Sequence, residues 1–152
     1  MNKFHQIIKP IYGEKCTHVG RWFGTMILID FGKLHPPAAG QKFGRYDWSI
    51  SINDSWWEMS KKDNVIVGNG DTEVEIDKKI KQILGKTIVN IQTSTNFSQT
   101  TFTFDDDLYL TCKHKPSNKF EDWSISTPED MYIRVGPKHK WLYTPGTDKT
   151  NW

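Results

Sequence analysis

Asp47-Trp48-Ser49-Ile50-Ser51 returns later in the chain as Asp122-Trp123-Ser124-Ile125-Ser126. The flanks echo as well. Phe4, Ile8, Ile11, Tyr12 and Gly13 match Ile76, Ile80, Ile83, Leu84 and Gly85 at one constant offset of 72, and Val65, Val67 and Gly68 match Ile133, Val135 and Gly136. Echoes at both ends and in the middle of a segment read as one structural unit written twice, over 1–69 and 70–146, with a short tail at 147–152. On this reading Trp48 and Trp123 hold equivalent core positions in matched strands of two half-sheets.

Working outward from the phrase, each unit opens on a helix. Phe4, Ile7, Ile8 and Ile11 recur at helical spacing, interrupted by Pro10 and stopped at Gly13. In the second unit Thr72-Glu73-Val74-Glu75 fits a capping box with Asp71 as a rival cap. Ile76, Ile80, Ile83 and Leu84 then share a face and Gly85 ends the helix. Strands follow at 16–19, 25–31, 46–52, 56–59 and 64–67, and again at 87–92, 100–104, 108–112, 122–127 and 131–135. Tyr46, Trp48, Ile50 and Ile52 alternate onto one face, and 33–44, with two prolines and two glycines, reads as a long loop. The fold class is therefore α+β: two antiparallel half-sheets related by the internal repeat, each with a helix packed on it.

With 152 residues the chain suits a single domain, and units of about 70 residues are too small to stand alone comfortably, so a shared core is expected. Aromatic residues make up 13% of the chain, which excludes a disordered chain. No apolar run reaches the roughly 18 residues of a membrane span, and the first residues lack the apolar centre of a signal peptide. A cytoplasmic protein is expected, with no membrane partner and with Cys16 and Cys112 as free thiols. Twenty basic against 18 acidic residues leave a net charge of +2, too balanced for a dedicated electrostatic binder of nucleic acid.

No catalytic signature is present. Gly68-Asn69-Gly70 lies between a strand and a helix, but the third glycine of a dinucleotide loop would fall at Glu73, whose carboxylate repels a pyrophosphate. Cys112-Lys113-His114 offers two metal ligands where zinc needs four, and His5, His18, His35 and His139 are scattered singly. The chain thus reads as neither an enzyme nor a cofactor or metal protein. Three groups remain. In Trp56-Trp57-Glu58, strand geometry sends one indole to the core and the other outward, where it becomes a candidate interface anchor. Asp105-Asp106-Asp107 reads as a hairpin turn that also concentrates negative charge. Lys113-His114-Lys115 and Lys138-His139-Lys140, near Tyr109 and Trp141, form a second echo of basic groups interleaved with aromatics.

Asp122-Trp123-Ser124-Ile125-Ser126-Thr127-Pro128-Glu129-Asp130-Met131, leading to Val135-Gly136-Pro137 and Trp141, resembles the C-terminal phrase of small bacterial proteins of unknown or immunity function. Glu129-Asp130 stands where that phrase has an Asp-Gly turn, and Pro137-Lys138 where it commonly has a second glycine. Gly20-Arg21-Trp22 and Asp30-Phe31-Gly32 fit the same style. The resemblance is to immunity proteins encoded beside contact-dependent growth inhibition or related polymorphic toxins, some of which resemble the Whirly fold of two antiparallel sheets with helices and an internal repeat. It implies an immunity protein that binds and neutralises a cognate toxin, a nuclease by expectation, without chemistry of its own. The partner-binding residues expected are Trp56, Trp57, Glu58, Asp105, Asp106 and Asp107. The alternative is a single-stranded nucleic-acid-binding module using Lys113, His114, Lys115, Lys138, Lys140 and Trp141.

Overall fold

Alternation of apolar and polar residues builds most of the molecule. The computed structural model describes residues 2–53 and 55–146, so the tail 147–152 and Asp54 of the expected Asn53–Ser55 turn lie outside the described residues. Eleven strands form among the described residues: β1 (Cys16–Arg21), β2 (Ile27–His35), β3 (Arg45–Ile52), β4 (Trp56–Lys61), β5 (Asn64–Gly68), β6 (Ile88–Thr93), β7 (Gln99–Phe104), β8 (Leu108–Lys113), β9 (Trp123–Ser126), β10 (Met131–Gly136) and β11 (Lys140–Pro145). Helix α1 (Lys3–Ile8) continues into a 3-10 turn at Lys9–Ile11, where Pro10 removes a backbone donor, and α2 (Glu73–Lys79) continues into one at Ile80–Ile83. Thr72, not Asp71, caps α2, its hydroxyl accepting from the Glu75 N–H; Asp71 instead accepts from the Gly68 N–H.

The strands form two antiparallel sheets with the orders β1-β2-β3-β9-β10-β11 and β5-β4-β8-β7-β6. The α+β class is as the sequence implies, but the sheets do not follow the unit boundaries. Each joins a three-strand meander from one half of the chain to closing strands from the other. The two copies of the repeated phrase therefore lie in one sheet and pair with each other: Ser49 faces Ser126, Ile50 faces Ile125, Ser51 faces Ser124 and Ile52 faces Trp123. Trp48 and Trp123 do not hold matched positions. Strands β4 and β9 each leave the sheet of the strands before them and join the opposite one, and each carries a buried indole, Trp57 and Trp123.

Each of these two indoles ties one sheet to the other. The Trp123 Nε1–H donates to Thr100 Oγ1 of β7 at 2.9 Å, and the Trp57 Nε1–H donates to the Thr25 carbonyl, just before β2, at 2.8 Å. Between the sheets lies one apolar cluster drawn from both halves, with Phe31 stacked on Phe104 and Phe102 edge-on to Trp123. The helices do not cover one sheet each. The α2 segment packs against β1 and β5, the edges of different sheets. From α1, Phe4 sets its ring against Trp123, Trp141 and Phe97, while Tyr12 beyond it bonds the β6 backbone. Helices in these positions close the two open seams of the sandwich, because the edges there would otherwise expose unpaired backbone and core.

Two further differences from the sequence reading affect the surface. The segment 33–44, expected to be all loop, begins as a continuation of β2, which bulges between Phe31 and Leu34. Opposite that bulge Tyr46 is turned from the inner face and stacks on His18, with ring centroids 5.8 Å apart. Strand β11 was not expected, although Trp141-Leu142-Tyr143 carries strand-favouring residues. No described helix is long and apolar enough to cross a membrane.

Candidate functional site

The outer face of the five-stranded sheet carries Trp56. β4 alternates cleanly: Trp57 and Met59 are buried, Trp56 and Glu58 exposed. Strand β4 pairs with β8, setting Trp56 opposite Lys113 and Glu58 opposite Thr111. Together with Trp57 and Asn69 these residues line a hollow of about 230 Å³. Trp57, expected among the partner-binding residues, is 2% exposed and lies in the core. Its backbone N–H donates to Asn69 Oδ1, so the Gly68-Asn69-Gly70 turn serves to hold this strand end. Trp57 therefore supports the face from beneath and Trp56, half exposed, presents on it.

Asp105, Asp106 and Asp107 form the tight turn between β7 and β8. Asp106 and Asp107 take left-handed backbone angles, which aspartate tolerates better than most residues. Asp105 accepts from the Thr87 N–H, and Asp106 bonds Lys86. That hydrogen bond, with the ammonium charge behind it, holds the Asp106 carboxyl below its usual range and raises Lys86. Leu108, next to the turn, pairs with Lys61 and Lys113 pairs with Trp56, so the acidic turn stands about 17 Å along the strands from Trp56. The two groups do not form one patch.

Beyond Lys113, opposite Trp56, the chain continues into a basic stretch. His114 follows Lys113, and its ring meets the His139 ring at a centroid distance of 6.2 Å. The two Lys-His-Lys segments, far apart in sequence, thus share one end of the molecule. His114 Nδ1 bonds the buried Asp122 carboxylate at 3.0 Å, Asn118 donates to the same carboxylate, and His139 Nδ1 donates to the Asn96 carbonyl. Lys138 and His139 both hold left-handed backbone angles in the short turn between β10 and β11.

A second, larger hollow is one the sequence reading does not single out. It runs across the outer face of the six-stranded sheet, measures about 560 Å³, and has serines 49, 51, 124 and 126 at its centre. The signal was in the repeated phrase itself: its isoleucines point inward, so its serines must point out. Among the described residues no group of three or more histidine, cysteine, aspartate or glutamate side chains could hold a metal ion.

Comparison with family models, with curated proteins and with solved structures finds no match for this chain.

Proposed function

We propose that this protein is an immunity-type binding protein that neutralises a cognate toxin, a nuclease domain in the simplest case, by covering its working surface. The observation that carries the reading is Trp56, a half-exposed indole beside a hollow on an otherwise polar strand face. Binding energy in protein interfaces concentrates in such aromatic anchors ringed by polar groups. Glu58 and Lys113 flank it with opposite charges, which suits recognition by complementarity and fits a chain of nearly balanced charge. The acidic turn 105–107, partly neutralised by Lys86, contributes at the rim or to a second contact. A cytoplasmic location belongs to the same reading.

Co-expression with the toxin encoded by the neighbouring gene tests it. Cells are expected to survive only when this protein is present, and the Trp56→Ala variant, folded, is expected to lose protection and weaken the complex by about 2 kcal/mol or more. Absence of both protection and complex would sink the reading.

Lys113 lies opposite Trp56 and the two Lys-His-Lys segments meet through His114 and His139, which favours a second reading, a surface for single-stranded nucleic acid. Lysines track phosphates while an exposed indole stacks a base. Such binding falls steeply with added salt, and generic oligonucleotides that fail to bind even at low salt remove this reading.

A further inference from the structure

We propose that the trough across the six-stranded sheet binds a neutral, polyhydroxylated ligand of the saccharide class. Strand register lays out its floor. One row across the sheet reads His18, Asp30, Ser49, Ser126, Tyr132 and Thr144; the next reads Gly20, Leu28, Ser51, Ser124, Arg134 and Leu142. Four serines thus sit together in the middle of both rows, where strands ordinarily favour β-branched and aromatic residues. Trp22, Tyr46, Tyr132 and Arg45 line the trough with them, and the short serines leave the hollow. Its 560 Å³ falls in the range of small-molecule sites.

The ionisable groups in the trough already have hydrogen-bond partners. The buried Asp30 carboxylate accepts from the Ser49 hydroxyl at 2.5 Å and bonds His18 Nδ1 at 2.7 Å. Arg45 bonds Asp130 and the carbonyls of Thr127 and Pro128, and Arg134 bonds Glu121. A charged ligand would have to compete with these partners. The Ser124 and Ser126 hydroxyls, by contrast, have no hydrogen-bond partner among the described residues. Each can donate and accept, which suits the hydroxyls of a neutral ligand. Trp22 is 65% exposed and Tyr132 37%, and their electron-rich ring faces favour the C–H edges of a sugar ring. Free hydroxyls on the floor, exposed rings at the rim and ionisable groups that already have partners are the requirements of one ligand class.

The test is a titration with cellobiose, maltose and diacetylchitobiose, with glucuronate and glucosamine as charged counterparts, read by backbone amide shifts and indole fluorescence. At least one neutral disaccharide is expected to move the amides of Ser49, Ser51, Ser124 and Ser126. Ser126→Leu, which fills the trough, and Trp22→Ala, which alters only an exposed rim, are each expected to weaken binding about tenfold or more. Gln92→Leu, on the other sheet, is the matched control and leaves binding intact. If no neutral sugar moves those amides, if only the charged sugars do, or if binding survives in both trough variants, the proposal is overturned. None of these outcomes depends on whether a toxin is bound.

Discussion

The two aspartates that head the repeated phrase each take a histidine from the chain before them. His35 Nε2 bonds Asp47 Oδ1 at 2.5 Å, and His114 bonds Asp122. Neither pairing was legible in sequence, because an irregular stretch separates the partners and its path sets the distance. Asp47 also accepts from the Lys33 N–H, and Gly32 has a left-handed φ of 79° with the Asp47 carboxylate where a Cβ would stand, so only glycine fits there. The His35 hydrogen bond, followed by that from Lys33, holds the Asp47 carboxyl below its ordinary value of 3.8. A carboxyl depressed on folding stabilises the protein above its unfolded pKa and loses that effect as pH falls through its folded pKa. Asp47→Asn is therefore expected to be less stable than the parent near neutrality, with the gap closing at pH values below the ordinary carboxylate range. Urea midpoints across that range check it; a gap that stays constant into acid would show that the carboxylate charge is not responsible. The cysteines agree with the sequence reading of free thiols. Both are buried, and burial pushes the Cys16 thiol up to about 12 and raises Cys112 as well.

Helix and strand positions were legible element by element because periodicity is local: a face of isoleucines three and four apart, or an alternating Thr-Phe run, needs no knowledge of its partner. Strand order was not legible, since pairing depends on which edges meet after the chain has crossed between sheets. The indole anchors follow from that order. Trp57 was expected to have a core or an outward alternative, but its bond to Thr25 exists only because β4 lies in the sheet opposite β2. Trp123 is 1% exposed and its indole N–H has Thr100 as its partner, itself 1% exposed. Thr100→Val keeps the volume and removes the acceptor, leaving a buried donor unsatisfied, at a cost of about 1–3 kcal/mol. Denaturant unfolding followed by Trp fluorescence measures it. A Trp123→Phe, Thr100→Val double variant is expected to lose less than the two single changes add up to, since only one interaction is being removed. Strict additivity would mean that the bond contributes nothing as a pair.

At the scale of the whole molecule, the sequence echo predicts one half-sheet per unit, and the strand order departs from that. Units of helix plus strands were identified, and each was expected to build its own half-sheet; the structure instead has each unit complete the other's sheet through the β3–β9 and β4–β8 pairs. The physical consequence differs between the two arrangements. Half-sheets that merely dock could persist separately as partly ordered subunits. Exchanged strands cannot: without its counterpart, residues 1–69 lose the neighbours of β3 and β4, and residues 70–146 lose those of β8 and β9, each exposing sheet edges and half of a shared apolar cluster. A chain of about 70 residues has little stability to spend on such exposure. Fragments 1–69 and 70–152 are therefore expected to lack native near-ultraviolet circular dichroism and dispersed amide spectra when alone. Mixed in equal amounts, they are expected to recover both, with a concentration-dependent midpoint, because the strand exchange then becomes the association interface. A fragment that folds by itself would contradict the argument that the exchanged pairs hold the molecule together. Recovery on mixing, with Ile50→Asp at the centre of the β3–β9 pair preventing it, would localise the coupling to the strands in which the repeated phrase meets itself.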